Sequence, residues 1–165
     1  MKKTIVTSLL LASTLIISGQ AHAERINHIG AVFSSSTLSI NTQGNTTTST
    51  ETGYGIARHD VGDTRSLYAS YMMYASHSVA SLKVFYNVIH NSQWTVGLGG
   101  GAYLDLYDNT NSLIDYKGLT LDANASYDLS DSHLSLNMGY STRLTGLDGI
   151  IDGYNTMYAG ISLGF

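Results

Sequence analysis

The sequence predicts an all-β protein that folds as a transmembrane, up-and-down antiparallel β-barrel of eight strands. Apolar residues recur at every second position through most of the chain, which is the period of a strand and not of a helix. Only 12% of the 165 residues are charged, whereas globular domains average about 25%. The faces opposite the apolar ones carry Gly, Ser, Thr, Asn and Tyr instead of Lys and Glu, which favours a narrow, filled lumen over a solvated surface.

Residues 1–23 are predicted to be a secretory signal peptide. Two lysines precede the apolar run TIVTSLLLASTLIISG, and residues 21–23 (AHA) have the form of a cleavage site. A membrane-spanning anchor is the alternative, but the apolar run is short for a span and ends at small residues. Cleavage after Ala23 leaves residues 24–165 as the barrel domain. The chain has no cysteine, which excludes a disulfide framework.

Eight strands are predicted in this domain from the alternation. The predicted ranges are 26–40, 52–59, 65–75, 79–89, 93–107, 118–128, 133–145 and 154–165. The last strand alternates most regularly, with small or polar residues between apolar ones. In the first strand the apolar phase slips between Phe33 and Leu38. The slip predicts a bulge at 34–37 or, alternatively, a tight turn that would change the strand count.

The connections between the predicted strands differ in length. Residues 60–64, 90–93 and 129–132 form short turns, whereas 41–51, 108–117 and 146–153 form longer polar or glycine-rich loops. Short turns at one end and long loops at the other are typical of outer-membrane barrels. An even number of strands places both termini at the short-turn, periplasmic end. The connection at 76–78 is short for an external loop.

Aromatic residues on the apolar faces predict a membrane interface. Tyr86, Trp94, Tyr127 and Phe165 face outward near the short-turn ends of their strands. Amphipathic rings at this height form the girdle that is typical of a membrane-spanning barrel. Open sheet edges are not tolerated in hydrocarbon, so the sheet is predicted to close. A secreted soluble β-protein is the alternative, because a soluble sandwich also alternates.

Four charged residues are predicted to point into the lumen from four successive strands. They are Lys83, Asp105, Asp122 and Arg143. Opposite charges in a low-dielectric interior are expected to pair. We favour a structural plug, because eight strands enclose a space that side chains just fill. A selectivity ring or gate is the alternative.

Two motifs with possible chemistry are interpreted structurally. His133 and Ser135 resemble the His-x-Ser pair of outer-membrane lipid A deacylases, but no Glu follows them in the chain and the pair is predicted to face the lumen. The inward glycines of GLGGGAY (97–103) are predicted to make room for side chains of neighbouring strands, because no phosphate-loop Lys follows them. The histidines and carboxylates lack zinc or calcium spacing. The sequence therefore predicts no enzyme, no metal and no cofactor.

The signal peptide, the amphipathic strands and the final Phe resemble bacterial outer-membrane β-barrel proteins. The size and loop pattern are similar to the OmpA and OmpX type, and MGYSTRLTGLDG with YAGISLGF resembles the YfaZ type. In this family the barrel assembly machinery reads the last strand, which implies an assembly signal at Tyr158, Ile161, Leu163 and Phe165. The resemblance also implies a Gram-negative outer-membrane location and contact with outer-membrane lipids and lipopolysaccharide.

The functional prediction is a structural or surface-interaction role through the external loops of a monomer. A narrow porin-like channel for small solutes is the first alternative, and a lipid A-modifying hydrolase is the second. The chain carries 8 Lys+Arg and 12 Asp+Glu, a net charge of −4. This acidic balance does not fit a nucleic-acid partner.

Overall fold

The computed structural model describes residues 26–42, 44–107, 116–129, 133–144 and 151–165. The predicted signal peptide lies outside these ranges. No helix within them is long and apolar enough to span a membrane.

The described residues form eight antiparallel strands. They are β1 (Ile26–Thr42), β2 (Asn45–Val61), β3 (Arg65–Met73), β4 (His77–His90), β5 (Trp94–Tyr107), β6 (Tyr116–Leu129), β7 (Leu134–Arg143) and β8 (Ile151–Gly164). Each strand pairs with its neighbour in the sequence, and β1 also pairs with β8. Phe165 N donates to Asn27 O at 2.9 Å where these two strands meet. The predicted eight-stranded, closed, up-and-down barrel is confirmed.

The hydrophobic core lies inside the barrel, and a second apolar surface covers its outside. Six buried side chains form the inner cluster, namely Val32, Ala57, Tyr68, Met72, Phe85 and Tyr158. Large apolar side chains on the alternate positions are exposed, among them Phe33 at 66%, Leu98 at 56% and Met157 at 66%. Exposure of this kind on every strand is the pattern of a surface that faces lipid instead of water.

The predicted loop at 41–51 is wrong, because β1 and β2 continue through it as a hairpin. Thr42 pairs with Asn45 across a two-residue turn. Gly44 has a φ of 86°, and its N–H donates to Asn41 Oδ1 at 3.1 Å. The run of Thr and Asn looks loop-like in composition, but β-branched threonine favours strands.

The predicted bulge or turn at 34–37 is also wrong. The β1–β2 register runs without a shift from Ile26↔Val61 to Thr42↔Asn45. The apolar phase changes because Phe33 faces outward whereas Leu38 lies on the inward-facing side of the same regular strand. Register shifts occur instead between Asn87 and Ile89 of β4 and where β8 pairs with Ser39 and Ile40.

The remaining strand boundaries differ by a few residues from those predicted. β6 begins at Tyr116 and β8 at Ile151, so the predicted loops at 108–117 and 146–153 are shorter. What remains of them, 108–115 and 146–150, lies outside the described residues. The short connection between β3 and β4 comprises residues 74–76 and is closed by a 2.9 Å bond from Tyr74 N to His77 O.

Candidate functional site in the barrel lumen

Within the described residues, the first of two lumen ion pairs formed by Lys or Arg joins β4 to β6. Lys83 Nζ lies 2.6 Å from Asp122 Oδ1, and the two residues are only 5% and 3% exposed. Thr120 donates to the other carboxylate oxygen, Oδ2, at 2.6 Å. The charges of both groups are therefore compensated within the barrel.

The Lys83 side chain reaches across β5, the strand between its own and that of Asp122. Gly101 pairs with Lys83, and Gly99 pairs with Asp122. A Cβ at Gly101 would lie 2.7 Å from Lys83 Cα and closer still to Leu82 O. The glycines of β5 thus leave the space through which the ion pair forms, as the sequence indicates for this motif.

The second ion pair joins β7 to β5. Arg143 Nη1 and Nη2 donate to Asp105 Oδ2 and Oδ1 at 2.6 and 2.8 Å, a bidentate geometry that fixes both planar groups. The guanidinium lies between two rings, 4.0 Å from the centroid of Tyr103 and 3.7 Å from that of Tyr154. The four charged residues of the prediction therefore form two separate pairs and not a ring.

Aromatic rings close the middle of the lumen beside the first ion pair. Tyr68 stacks on Tyr158 with 5.4 Å between ring centroids and contacts Phe85 edge-on at 6.4 Å. Lys83 Nζ lies 5.3 Å from the Tyr158 centroid. Gly139, the cross-strand partner of Tyr158, leaves room for that ring. Tyr158 is only 8% exposed, so it faces the lumen, whereas the other residues of the implied assembly signal face outward.

A cavity with an empty volume of about 530 Å³, including space open to solvent, adjoins both ion pairs. Five tyrosines and several Ser and Thr hydroxyls line it, together with Lys83 and Arg143. Because each cation is already paired with a carboxylate, the walls offer hydroxyl groups and rings but no unpaired charge. Chemically, the cavity is suited to water and other small neutral molecules.

His133 and Ser135 are not brought together as a catalytic pair. His133 lies in a turn with a φ of 52° and is exposed, whereas Ser135 is fully buried. Ser135 Oγ donates to Asp128 Oδ1 and lies 2.9 Å from His28 Nδ1. The carboxylate therefore binds the hydroxyl directly instead of orienting the imidazole, and no substrate reaches the buried oxygen. This cluster connects β1, β6 and β7 at the short-turn end.

The aromatic partners of the two cations and the His28–Asp128–Ser135 cluster were not predicted from the sequence. A usable signal was present, because strict alternation places Tyr103, Tyr154 and His28 on inward faces. What alternation does not reveal is which inward residues meet, since that depends on the stagger between strands.

The four predicted girdle residues lie at the short-turn end of the barrel. Tyr86, Trp94 and Phe165 are 61%, 41% and 71% exposed, and Tyr127 is half-buried against Trp94 with 4.8 Å between ring centroids. A second set of exposed aromatics, which was not predicted, marks the opposite end. Phe33 and Tyr54 pair across β1 and β2 and are 66% and 61% exposed.

Several solved structures are similar to this barrel. Neisserial surface protein A (NspA) has a TM-score of 0.61 at 15% identity, over 84% of this chain and 97% of that one. The fold is that of the small outer-membrane β-barrels. The N-terminal barrel domain of Pseudomonas aeruginosa OprF has a TM-score of 0.53 at 16% identity, over 81% and 97% of the two chains. Ail, the attachment invasion locus protein of Yersinia pestis, has a TM-score of 0.53 at 11% identity, over 84% and 99%.

These identities establish the barrel fold and leave the activity to be inferred from the site. No protein-family model and no curated protein matches the sequence.

Trp94 is the single tryptophan of the chain, so its fluorescence reports on the girdle directly. In lipid vesicles, nitroxide lipids labelled near the headgroup should quench it at least about twofold more than lipids labelled near the bilayer centre, because indole rings lie at the interface. The control is a Trp94→Phe, Leu98→Trp variant, which moves the tryptophan along β5 toward the middle of the apolar band. Equal quenching depths for the two proteins would contradict the girdle.

Proposed function

We propose that the protein is a monomeric integral barrel of the bacterial outer membrane, with a filled lumen and a structural or surface-interaction role. The observation that carries this proposal is the contrast between its two surfaces. The outside presents exposed Leu, Ile, Met and Phe, whereas the inside holds two compensated ion pairs and a stack of rings. Such a molecule is stable in a bilayer and blocked along its axis.

The outer-membrane location is supported by the two sets of exposed aromatics and by the likeness to outer-membrane barrels. We infer that residues 1–23 direct export and are removed after Ala23, and that the barrel assembly machinery reads the last strand. Ile161, Leu163 and Phe165 are exposed on one face of that strand, where a second protein has access to them. Outer-membrane lipids and lipopolysaccharide would surround the apolar band.

The surface role is assigned to the segments at the long-loop end. These are the β1–β2 hairpin and the loops at 108–115 and 145–150. Among the described residues, the short-turn end offers the three-residue connections at 62–64 and 91–93 and the turn residue His133 just before β7. A partner outside the cell would meet the longer segments first.

Cell fractionation and planar-bilayer recordings test this function together. We expect the protein in the outer-membrane fraction, with a gel mobility that changes on heating, and no conductance in bilayers. A double variant, Tyr68→Ala with Tyr158→Ala, removes the central stack and should raise conductance, which shows that the recording detects an opened barrel. Steady conductance by the natural protein would instead support a channel.

Two further outcomes separate the remaining alternatives. Recovery in the soluble periplasm without a heat-dependent mobility change would support a secreted β-protein and contradict the barrel's membrane location. Mass spectrometry of lipid A from cells with and without the protein should give the same profile. A change in the acyl chains would contradict the non-enzymatic role.

A further inference from the structure

The β1–β2 hairpin extends beyond the strands that flank it. β1 has 17 residues, whereas a tilted strand needs about 9–11 to cross a membrane. β2 pairs with β3 only from Tyr54 to Val61. Within the described ranges, no strand pairs with the outer edge of β2 over residues 45–52.

The outward face of this hairpin changes composition abruptly at one level. Over the pairs Ala31↔Ile56 and Phe33↔Tyr54 it is apolar or aromatic, and both rings of the second pair are exposed. Nearer the short-turn end the same face carries Arg58, which is paired with Asp60 at 2.9 Å. Beyond Phe33↔Tyr54, the next outward pairs are Ser35↔Thr52 and Thr37↔Thr50, followed by Thr48 and Thr46 on β2. We call these six residues the hydroxyl face. It begins where the apolar band ends, and it therefore lies in the layer of the lipid headgroups.

The hydroxyl face is uncharged and chemically uniform. Its four β2 positions are all threonine, whereas the inward positions of the same segment are Asn45, Thr47, Ser49 and Glu51. The one acidic residue of the segment is turned away, with Glu51 Oε1 accepting from Tyr154 at 2.9 Å. Thr37 Oγ1 and Thr50 Oγ1 are 3.5 Å apart and exposed. Each hydroxyl both donates and accepts, so the row matches sugar hydroxyls, and it carries no cation that would favour phosphate over a sugar.

From this geometry we propose that the hydroxyl face binds the core sugars of lipopolysaccharide molecules packed beside the barrel. The inference rests on the proposed outer-membrane location, because only that bilayer presents sugars at this height. Pairing of a protein strand with the free edge of β2 is the competing occupant. It would use backbone groups and would not require threonine at every outward position, so the sugars fit the observations better.

Hydrogen exchange in nanodiscs tests the proposal. The full barrel is placed in phospholipid alone, with lipopolysaccharide that ends at lipid A, or with lipopolysaccharide that carries core sugars. We expect the amides of residues 46–52 to exchange about tenfold more slowly with core sugars than in the other two discs, since contacts at the face oppose local opening. A Thr48→Val, Thr50→Val variant keeps the shape and the strand preference but loses two hydroxyls, and it should lose this protection.

The matched control is Thr47→Val with Ser49→Ala, which changes the inward side of the same strand and should keep the protection. Equal exchange with lipid A and with core sugars would overturn the proposal. Protection in phospholipid alone would also overturn it, and would indicate strand pairing between copies. In every disc, the change of gel mobility on heating reports insertion. A failure to insert contradicts the outer-membrane function, whereas insertion without sugar-dependent protection contradicts only the hydroxyl face.

Discussion

Replacing Asp122 with alanine is expected to destabilise the barrel by about 3–5 kcal/mol, because it leaves the ammonium of Lys83 buried without its partner. The ion pair is 2.6 Å long, and Lys83 is only 5% exposed. The loss should appear as a lower urea concentration at the midpoint of unfolding from lipid vesicles. Trp94 fluorescence monitors this unfolding.

Two further variants make this prediction specific. Lys117→Met removes an exposed lysine and should change the free energy of unfolding by less than about 0.5 kcal/mol. Lys83→Met combined with Asp122→Leu removes both charges and should recover most of the loss, because well-packed apolar residues replace a buried pair at little cost. An Asp122→Ala variant as stable as Lys117→Met would show that the pair does not support the fold.

Replacing Gly101 with valine is expected to cost at least about 3 kcal/mol, because the new side chain meets the backbone of β4. A Cβ there lies 2.7 Å from Lys83 Cα, and backbone of a paired strand has no alternative rotamer. The variant should lose the change in gel mobility on heating, or unfold at much lower urea. Gly153→Val is the control, since its nearest neighbouring atom is 4.0 Å away. Equal stability of the two variants would contradict the close approach.

The fold was predictable because lipid imposes a strict pattern on each strand. Alternation alone assigns Phe85 and Tyr103 to the inside and Leu98 and Met157 to the outside, and the structure confirms these assignments. Closure of the sheet into a barrel was predictable as well, because unpaired backbone groups cost free energy in hydrocarbon. The pattern fails in the hairpin tip, where residues 45–50 are exposed at inward and outward positions alike. That is why the hairpin at 41–51 was mistaken for a loop.

The sequence predicts which residues line the lumen, but it does not predict which of them contact one another. Four inward charges were expected to pair, and the structure places them in two contacts. Lys83 of β4 contacts Asp122 of β6, with β5 between them, because of the stagger between strands and the small glycines of β5. The residue pattern of a single strand reveals neither the stagger between strands nor which residues of the next strand face the β5 glycines. The rings on either side of Arg143 could not be predicted for the same reason, because Tyr103 comes from β5 and Tyr154 from β8.

The pairing of β1 with β8 has a consequence for the order of assembly. Seven of the strand pairings join neighbours in the chain, and each can form as a hairpin. The eighth joins Ile29 to Leu163, which requires closing a loop that contains nearly the whole domain and therefore costs more entropy than closing a hairpin. We therefore expect this seam to form after the seven hairpin pairings. Until it forms, β1 and β8 each present an unpaired edge, which is the kind of surface on which another strand can pair.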